Sequence, residues 1–209
     1  MPFQKTSPNL AYRNNYPHAD PGILDLIRWR VTRKAPPKPK PFPLTPNDPA
    51  ALLTNRTRPS LTWVGHSTFL VQIEGKNFLT DPIFSDRASP FPIAGPKRIT
   101  PVGIAMEALP HIDFVLVSHN HYDHLDARSL KELLRRQPEN PPVIVTPSKL
   151  GSWFRHRGFP RVMEIDWWNS ADVCGLKVHA VPVQHWSQRI PFIVNRTLWA
   201  GFIVEGRNG

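Results

Sequence analysis

A single cysteine, Cys174, stands among 209 residues. That scarcity excludes an internal disulfide framework and fits a reducing compartment; the residue itself reads as a small core side chain. Nowhere does the chain hold the roughly 18–20 continuous apolar residues of a membrane span. Its opening, MPFQKTSPNL, lacks the apolar stretch of a secretory signal, so a cytoplasmic location is expected. Internal repeats and coiled-coil heptads are absent. Acidic residues are the scarcer sign of charge, 16 Asp and Glu against 26 Lys and Arg, for a net charge of +10. A basic chain of this kind suits an anionic partner. Nucleic acid is not the expected one, because no nucleic-acid motif accompanies the charge.

The positive charge is concentrated. Residues 1–60 hold ten Lys or Arg against three Asp, together with 12 of the 25 prolines. The run Ala35-Pro36-Pro37-Lys38-Pro39-Lys40-Pro41 is extended and solvated by expectation, since proline fixes φ and removes a donor. Residues 1–60 therefore read as a basic, Pro-rich arm that wraps the domain or contacts a partner, and residues 61–209 as the domain. A short helix is predicted over about 21–33. It mixes Ile23, Leu24, Ile27 and Trp29 with Arg28, Arg30 and Arg33. Two readings stay open for it: peripheral contact with an anionic membrane surface, or docking on the domain with the arginines toward water.

From residue 60 the composition changes. Leu61–Val64, Thr68–Ile73 and Phe78–Thr80 read as strands. They are joined by a tight Gly65-His66-Ser67 turn and by a hairpin turn at Glu74-Gly75-Lys76-Asn77. Residues 84–110 form a long Pro- and Gly-rich loop, of the kind that is often functional. Asp113–Val117 and Val143–Thr146 are short, apolar and β-branched, as buried strands are. Further strands are expected near 161–165, 176–183 and 197–204. Helices are expected after Asp126 and over about 148–157. The first of these takes Asp126 as its cap, Ser129 and Glu132 at capping-box spacing, and Leu130, Leu133 and Leu134 as its apolar stripe. Strands first, then strand and helix in alternation, indicate an α/β (α+β) layered sheet.

The informative run is SHNHYDHLD. His119, His121, Asp123 and His124 fall within six residues, on the loop leaving a strand's carboxyl end, where open α/β sheets place their chemistry. Nitrogen and oxygen donors this dense suit a divalent transition metal, zinc first among them. In extended chain His119 and His121 point the same way and reach one ion. Asp123 and His124 follow as the chain turns toward the helix, which swings them to a second position. His185 leaves the strand Leu176–Val183 as the first cluster leaves its own, and is the expected third imidazole. His179 lies inside that strand, packed or exposed. His18, His111 and His156 read as surface residues.

These features resemble the metallo-β-lactamase superfamily, whose HxHxDH signature stands here as His119-Asn120-His121-Tyr122-Asp123-His124. Within it the chain is most similar to the N-acylphosphatidylethanolamine-hydrolysing phospholipase D family. The matching stretches are Thr62–Thr68, Leu79–Ser85, Gly95–Arg98, the histidine run and Val183–Ser187. The resemblance implies a metallo-β-lactamase-like αββα sandwich with a two-zinc site. His119, His121 and His185 would hold the first zinc, and Asp123 and His124 would help hold the second. Asp81 would accept a ring N–H from a ligand histidine. His66 would lie near the site in a catalytic role, or merely cap its turn. Asp123 would orient the water as well as bind metal. Lys97, Arg98 and Arg189 are candidates for contacting an anionic phospholipid headgroup or another phosphodiester.

The superfamily also supplies a bridging aspartate and a last histidine beyond the position of His185, yet no Asp follows Asp172 and no His follows His185. The expectation is a sandwich incomplete at its carboxyl end, the amino-terminal part of a longer protein. By ligand count one zinc is held at His119, His121 and His185, and the second position, left with two donors, is weak or empty. Uncovered apolar sheet would favour oligomers or aggregation. The expected activity of the full-length family is zinc-dependent phosphodiester hydrolysis, zinc lowering the pKa of water toward about 7. The alternatives are an inactive or partner-dependent fragment, and a nuclease or lactone hydrolase on the same fold.

Overall fold

The hairpins form where the sequence places left-handed turn residues. Glu74 and Gly75, both with positive φ, close the two-residue turn between β2 (Thr68–Ile73) and β3 (Lys76–Thr80), pairing Ile73 with Lys76. Positive φ at both central positions matches the twist of the flanking strands. The computed structural model describes residues 11–17, 22–34, 37 and 39–206. Its larger sheet runs in chain order from β1 (Ser60–Gly65) through β2, β3, β4 (Phe114–Leu116) and β5 (Val143–Pro147) to β6 (Val162–Ile165). The first three strands are antiparallel, and β3 to β6 are parallel. Parallel neighbours need crossovers. Helix α3 (Ala127–Arg136) links β4 to β5, and α4 (Gly151–Arg155) links β5 to β6.

Burial of the larger sheet on both faces explains its apolar strands. Val115, Val117 and Ile144 face the helices, with Leu130, Leu133 and Phe154. Phe114, Leu116, Val143 and Val145 face the other way, onto Val178, Ala180 and Trp199. That second core is shared with a three-stranded antiparallel sheet made of β7 (Ser170–Val173), β8 (Leu176–Val181) and β11 (Gly201–Glu205). Its outward side carries exposed Trp168 and Ile203, with His179 paired to Glu205 at 2.9 Å. Between β8 and β11 lies the small ribbon of β9 (Gln188–Ile190) and β10 (Ile193–Val194). Cys174 sits half-buried in the β7–β8 turn, where burial raises its pKa.

Several expectations are adjusted. The expected strand at 197–204 begins only at Gly201, because Leu198 and Ala200 donate their N–H groups to Ser148 and Ser118, which ties residues 198–200 across the ends of the parallel strands. Asp126 caps α3 through Arg128 N, but Ser129 and Glu132 form no capping box. Ser129 lies inside the helix, donating to Asp126 Oδ2 and accepting from Phe84 N. The helix expected near 21–33 is α1 (Ile23–Thr32). Its described side chains are all exposed, among them Leu24, Ile27, Trp29 and Val31. The loop 84–110 is ordered around buried Ile104, Met106 and Leu109. Residues 49–54 form a further helix, α2 (Pro49–Thr54), whose Leu52 packs on the helix-side core. Of the Pro-rich run, residues 35, 36 and 38 lie outside the described residues, as does His18. His111 and His156 are exposed.

Candidate metal centre

Three parallel strands deliver their carboxyl ends to one place. Strand β3 leads into Asp81, β4 leads through Val117 into the histidine run, and each is tied to its neighbouring strand. Val117 N donates to Val145 O, and Asp81 N donates to Leu116 O. Beyond Asn120 the chain tightens: His124 N and Leu125 N both bond to His121 O. That turn separates the donors. His119 and His121 face His185, while Asp123 and His124 face His66.

Each group is compact. His119, His121 and His185 bring one nitrogen each to within 4.8 Å of the others, and His66, Asp123 and His124 do the same with their donor atoms. In the first group His119 Nε2 lies 2.9 Å from His121 Nδ1 and 3.0 Å from His185 Nε2. The tautomers follow from Asp81. Its carboxylate accepts from Ser118 N (2.7 Å), from Ser118 Oγ (2.7 Å) and from His124 Nδ1 (2.8 Å). Having given its proton to Asp81, the Ser118 hydroxyl accepts from His119 Nδ1 at 2.8 Å. His119 Nε2 is therefore a bare lone pair, and Nε2 of His124 becomes one once that ring is neutral.

One lone pair at His119 cannot satisfy two imidazole N–H donors. The Nε2 atom of His121 is buried with no hydrogen-bond partner at all. Hydrogen bonding thus leaves the facing nitrogens, His119 Nε2, His121 Nδ1 and His185 Nε2, unsatisfied, and a cation among those three satisfies them. The residues fit a divalent metal, since neutral imidazoles with an outer carboxylate are the usual donor set.

Electrostatics agree with that arrangement. Burial, then the neighbouring imidazoles, hold His119 down to about 2. Burial and His185 hold His121 down to about 4, and burial and His124 lower His185. In His124 burial also acts downward, but the Asp81 hydrogen bond and charge outweigh it, and its pKa is raised. Lowered histidines contribute stability that is complete above the unfolded value of 6.5 and is lost as pH falls below it toward the folded value; His124, with the opposite sign, is most favourable below 6.5. Three act against one. The metal-free protein is therefore expected to melt at progressively lower temperature as pH drops from 6.5 to 4. His121→Gln flattens that slope, which thermal unfolding at several pH values measures.

The cations have different surroundings. Arg189 Nη1 donates to Asn120 O (3.1 Å) and Leu125 O (2.8 Å), and its guanidinium lies 4.1 Å from the Tyr122 ring. It grips the histidine loop from behind. Arg98 Nη2 donates to Ile83 O at 2.7 Å. Lys97 is exposed on the wall of a pocket of about 490 Å³, with Phe42, Trp63, Ile83 and Ile99 as apolar lining and His66 and Asp123 among its polar lining. Two participants were not anticipated: Ser118, which relays Asp81 to His119, and Asn14, which holds the backbone of His185 by a reciprocal pair at 2.8 and 3.0 Å. Position beside the first histidine was a signal for Ser118; for Asn14 there was none.

Residues 76–209 match the model of a family described as a beta-lactamase superfamily domain. The chain belongs to that superfamily. An uncharacterised protein of Mycobacterium tuberculosis is 40% identical over 189 residues, covering 88% of this chain and 49% of its own. The N-acyl-phosphatidylethanolamine-hydrolyzing phospholipase D 1 of Caenorhabditis elegans is 38% identical over 156 residues, covering 70% of this chain and 43% of its own. The chain thus spans about half the length of the curated relatives it matches. Among solved structures, a metallo hydrolase of the archaeon Ignicoccus hospitalis aligns with a TM-score of 0.52 and 22% identity, over 70% of this chain and 55% of that one, a likeness of fold. Helices, a six-stranded sheet and a three-stranded sheet make up the layers of a metallo-β-lactamase-like fold among the described residues.

Proposed function

We propose that this protein is a metal-dependent hydrolase that cleaves the phosphodiester of N-acylphosphatidylethanolamine-type lipids, with zinc as the metal. The observation that carries the reading is the pairing of two donor groups, His119, His121 and His185 beside Asp123 and His124, with Asp123 lining an apolar pocket that Lys97 also lines. The relative from Caenorhabditis elegans bears the name of that activity.

His119, His121 and His185 would hold one ion, and Asp123 with His124 would help hold another. Bound there, the metal supplies Lewis acidity, polarising phosphoryl oxygens and making water acidic enough to act as a nucleophile near neutral pH. Asp123, partly exposed in the pocket's lining, accepts a hydrogen bond from the attacking water and orients it toward phosphorus. Lys97 attracts the anionic headgroup, and Trp63, Ile83 and Phe42 receive apolar parts of the lipid. Arg98 Nη2 and Arg189 Nη1 donate to backbone carbonyls and so brace the site, and Arg98 also lines the pocket that would receive the substrate. The exposed helix α1 would meet the lipid surface with Leu24 and Trp29, its arginines facing anionic headgroups.

The test is turnover by the zinc-loaded protein on N-acylphosphatidylethanolamine in vesicles, on single-stranded RNA and on a lactone. Water adds to phosphorus and the bond to the ethanolamide oxygen breaks, so one phosphatidate and one N-acylethanolamine are expected per turnover. His119→Ala and chelation each reduce the rate to background. Hydrolysis of RNA or lactone with none of the lipid would refute the assignment.

A further inference from the structure

Counting ligands along the sequence leaves the second position with Asp123 and His124 alone. The folded chain brings a third donor there. His66, from the β1–β2 turn 57 residues away, places Nε2 3.1 Å from Asp123 Oδ2. His124 Nε2 lies 3.7 Å from the same oxygen, and the His66 and His124 rings approach edge-to-face at 5.2 Å. We infer that His66 is a ligand, so that His66, Asp123 and His124 form a second metal site built entirely from residues of this chain. The inference rests on the metal-centre reading above and on no particular substrate.

Three features of the turn support it. His66 holds a left-handed backbone, φ 50°, which is unfavourable for a residue bearing a Cβ and recurs at functional sites. An exposed ion pair with Asp123, the two side chains 50% and 41% accessible, is too weak a reward to explain that conformation. The turn is also held from outside. Trp63 Nε1 donates to His66 O at 3.0 Å. Arg98, anchored on Ile83 O, presses Nη1 so close to Gly65 that a Cβ there would meet it at 2.5 Å. A ring presented this firmly beside an imidazole whose lone pair is already set by Asp81 suits coordination. Two imidazoles and one carboxylate form a donor set that zinc, iron and manganese all accept. His66 and Asp123 also line the apolar pocket.

The experiment counts metal without substrate. The 209-residue protein is stripped, reloaded with zinc or cobalt(II), freed of excess ion and analysed for bound metal. Two equivalents are expected for the unaltered protein. His66→Gln is expected to keep one equivalent and to weaken the other at least tenfold, with the melting temperature of the stripped protein little changed. His66→Cys is expected to restore the second cobalt ion and to add a sulfur-to-cobalt charge-transfer band. One equivalent in the unaltered protein overturns the inference, as do two equivalents of undiminished affinity in His66→Gln, or a His66→Cys protein that binds two cobalt ions without that band. Absence of lipid turnover with two metals bound would count against the proposed substrate and leave this ligand set standing.

Discussion

Asp81→Ala is expected to weaken metal binding at the first site by about 10- to 100-fold, the usual cost of losing an outer partner of a ligating histidine. The carboxylate is 6% accessible and accepts three hydrogen bonds, two from Ser118 and one from His124. Each has a consequence. Without an acceptor at Oδ2 the Ser118 hydroxyl turns freely, and nothing fixes the proton of His119 on Nδ1. Without Asp81, only the Asp123 charge opposes burial at His124, and its pKa falls. The Ser118 N–H is left unpaired in a buried corner, at about 1–3 kcal/mol. Asp81→Asn separates these effects: its amide oxygen still accepts from Ser118 N, while its NH2 group confronts a donor at His124. Chelator competition should rank the unaltered protein first, Asp81→Asn next and Asp81→Ala last. Equal affinity in all three would show that the histidines orient themselves.

Arg189→Met is expected to destabilise the fold by about 2–4 kcal/mol, because charge-assisted hydrogen bonds and a cation–π interaction disappear together. Methionine keeps most of the bulk but leaves Asn120 O and Leu125 O without their donor. Those carbonyls lie on either side of His121, Asp123 and His124, so the loop should open locally before the protein unfolds. Hydrogen exchange should therefore quicken over residues 120–125 first. The guanidinium is so enclosed, by Tyr122 at 4.1 Å and Trp153 at 5.0 Å, that burial lowers its pKa to about 10. A variant as stable as the original, with unchanged exchange in the loop, would mean the arginine is ornamental to the fold.

Arg189 also shows where reading a sequence stops. An arginine beside a histidine, a tryptophan and a glutamine looks like a solvent-facing cation suited to an anionic headgroup, and nothing local reveals that it reaches back some 65 positions to a loop it supports. Strands β4 and β5 were legible because burial on both faces demands continuous apolar residues. Strand β7 was not, since Ser170-Ala171-Asp172 lies on an exposed edge and carries no such signature. The histidine run was legible because imidazoles and a carboxylate crowded onto a strand-end loop neither pack well nor pair well, and an ion resolves both problems. His66 was only half legible. Its turn was recognisable, but the distance to Asp123 depends on how the β1–β2 hairpin twists over the parallel strands, and pairwise spacing in the chain does not encode that.

The pair joining Asn14 to the backbone of His185 spans 171 positions of a 209-residue chain. Loops that long close late and gain little until the rest is packed. By that argument Asn14 clasps the backbone of His185 only after the strands between them have packed. A metal held by His119, His121 and His185 would then tie the middle of the chain to the segment that Asn14 clasps, and its capture would complete assembly instead of seeding it.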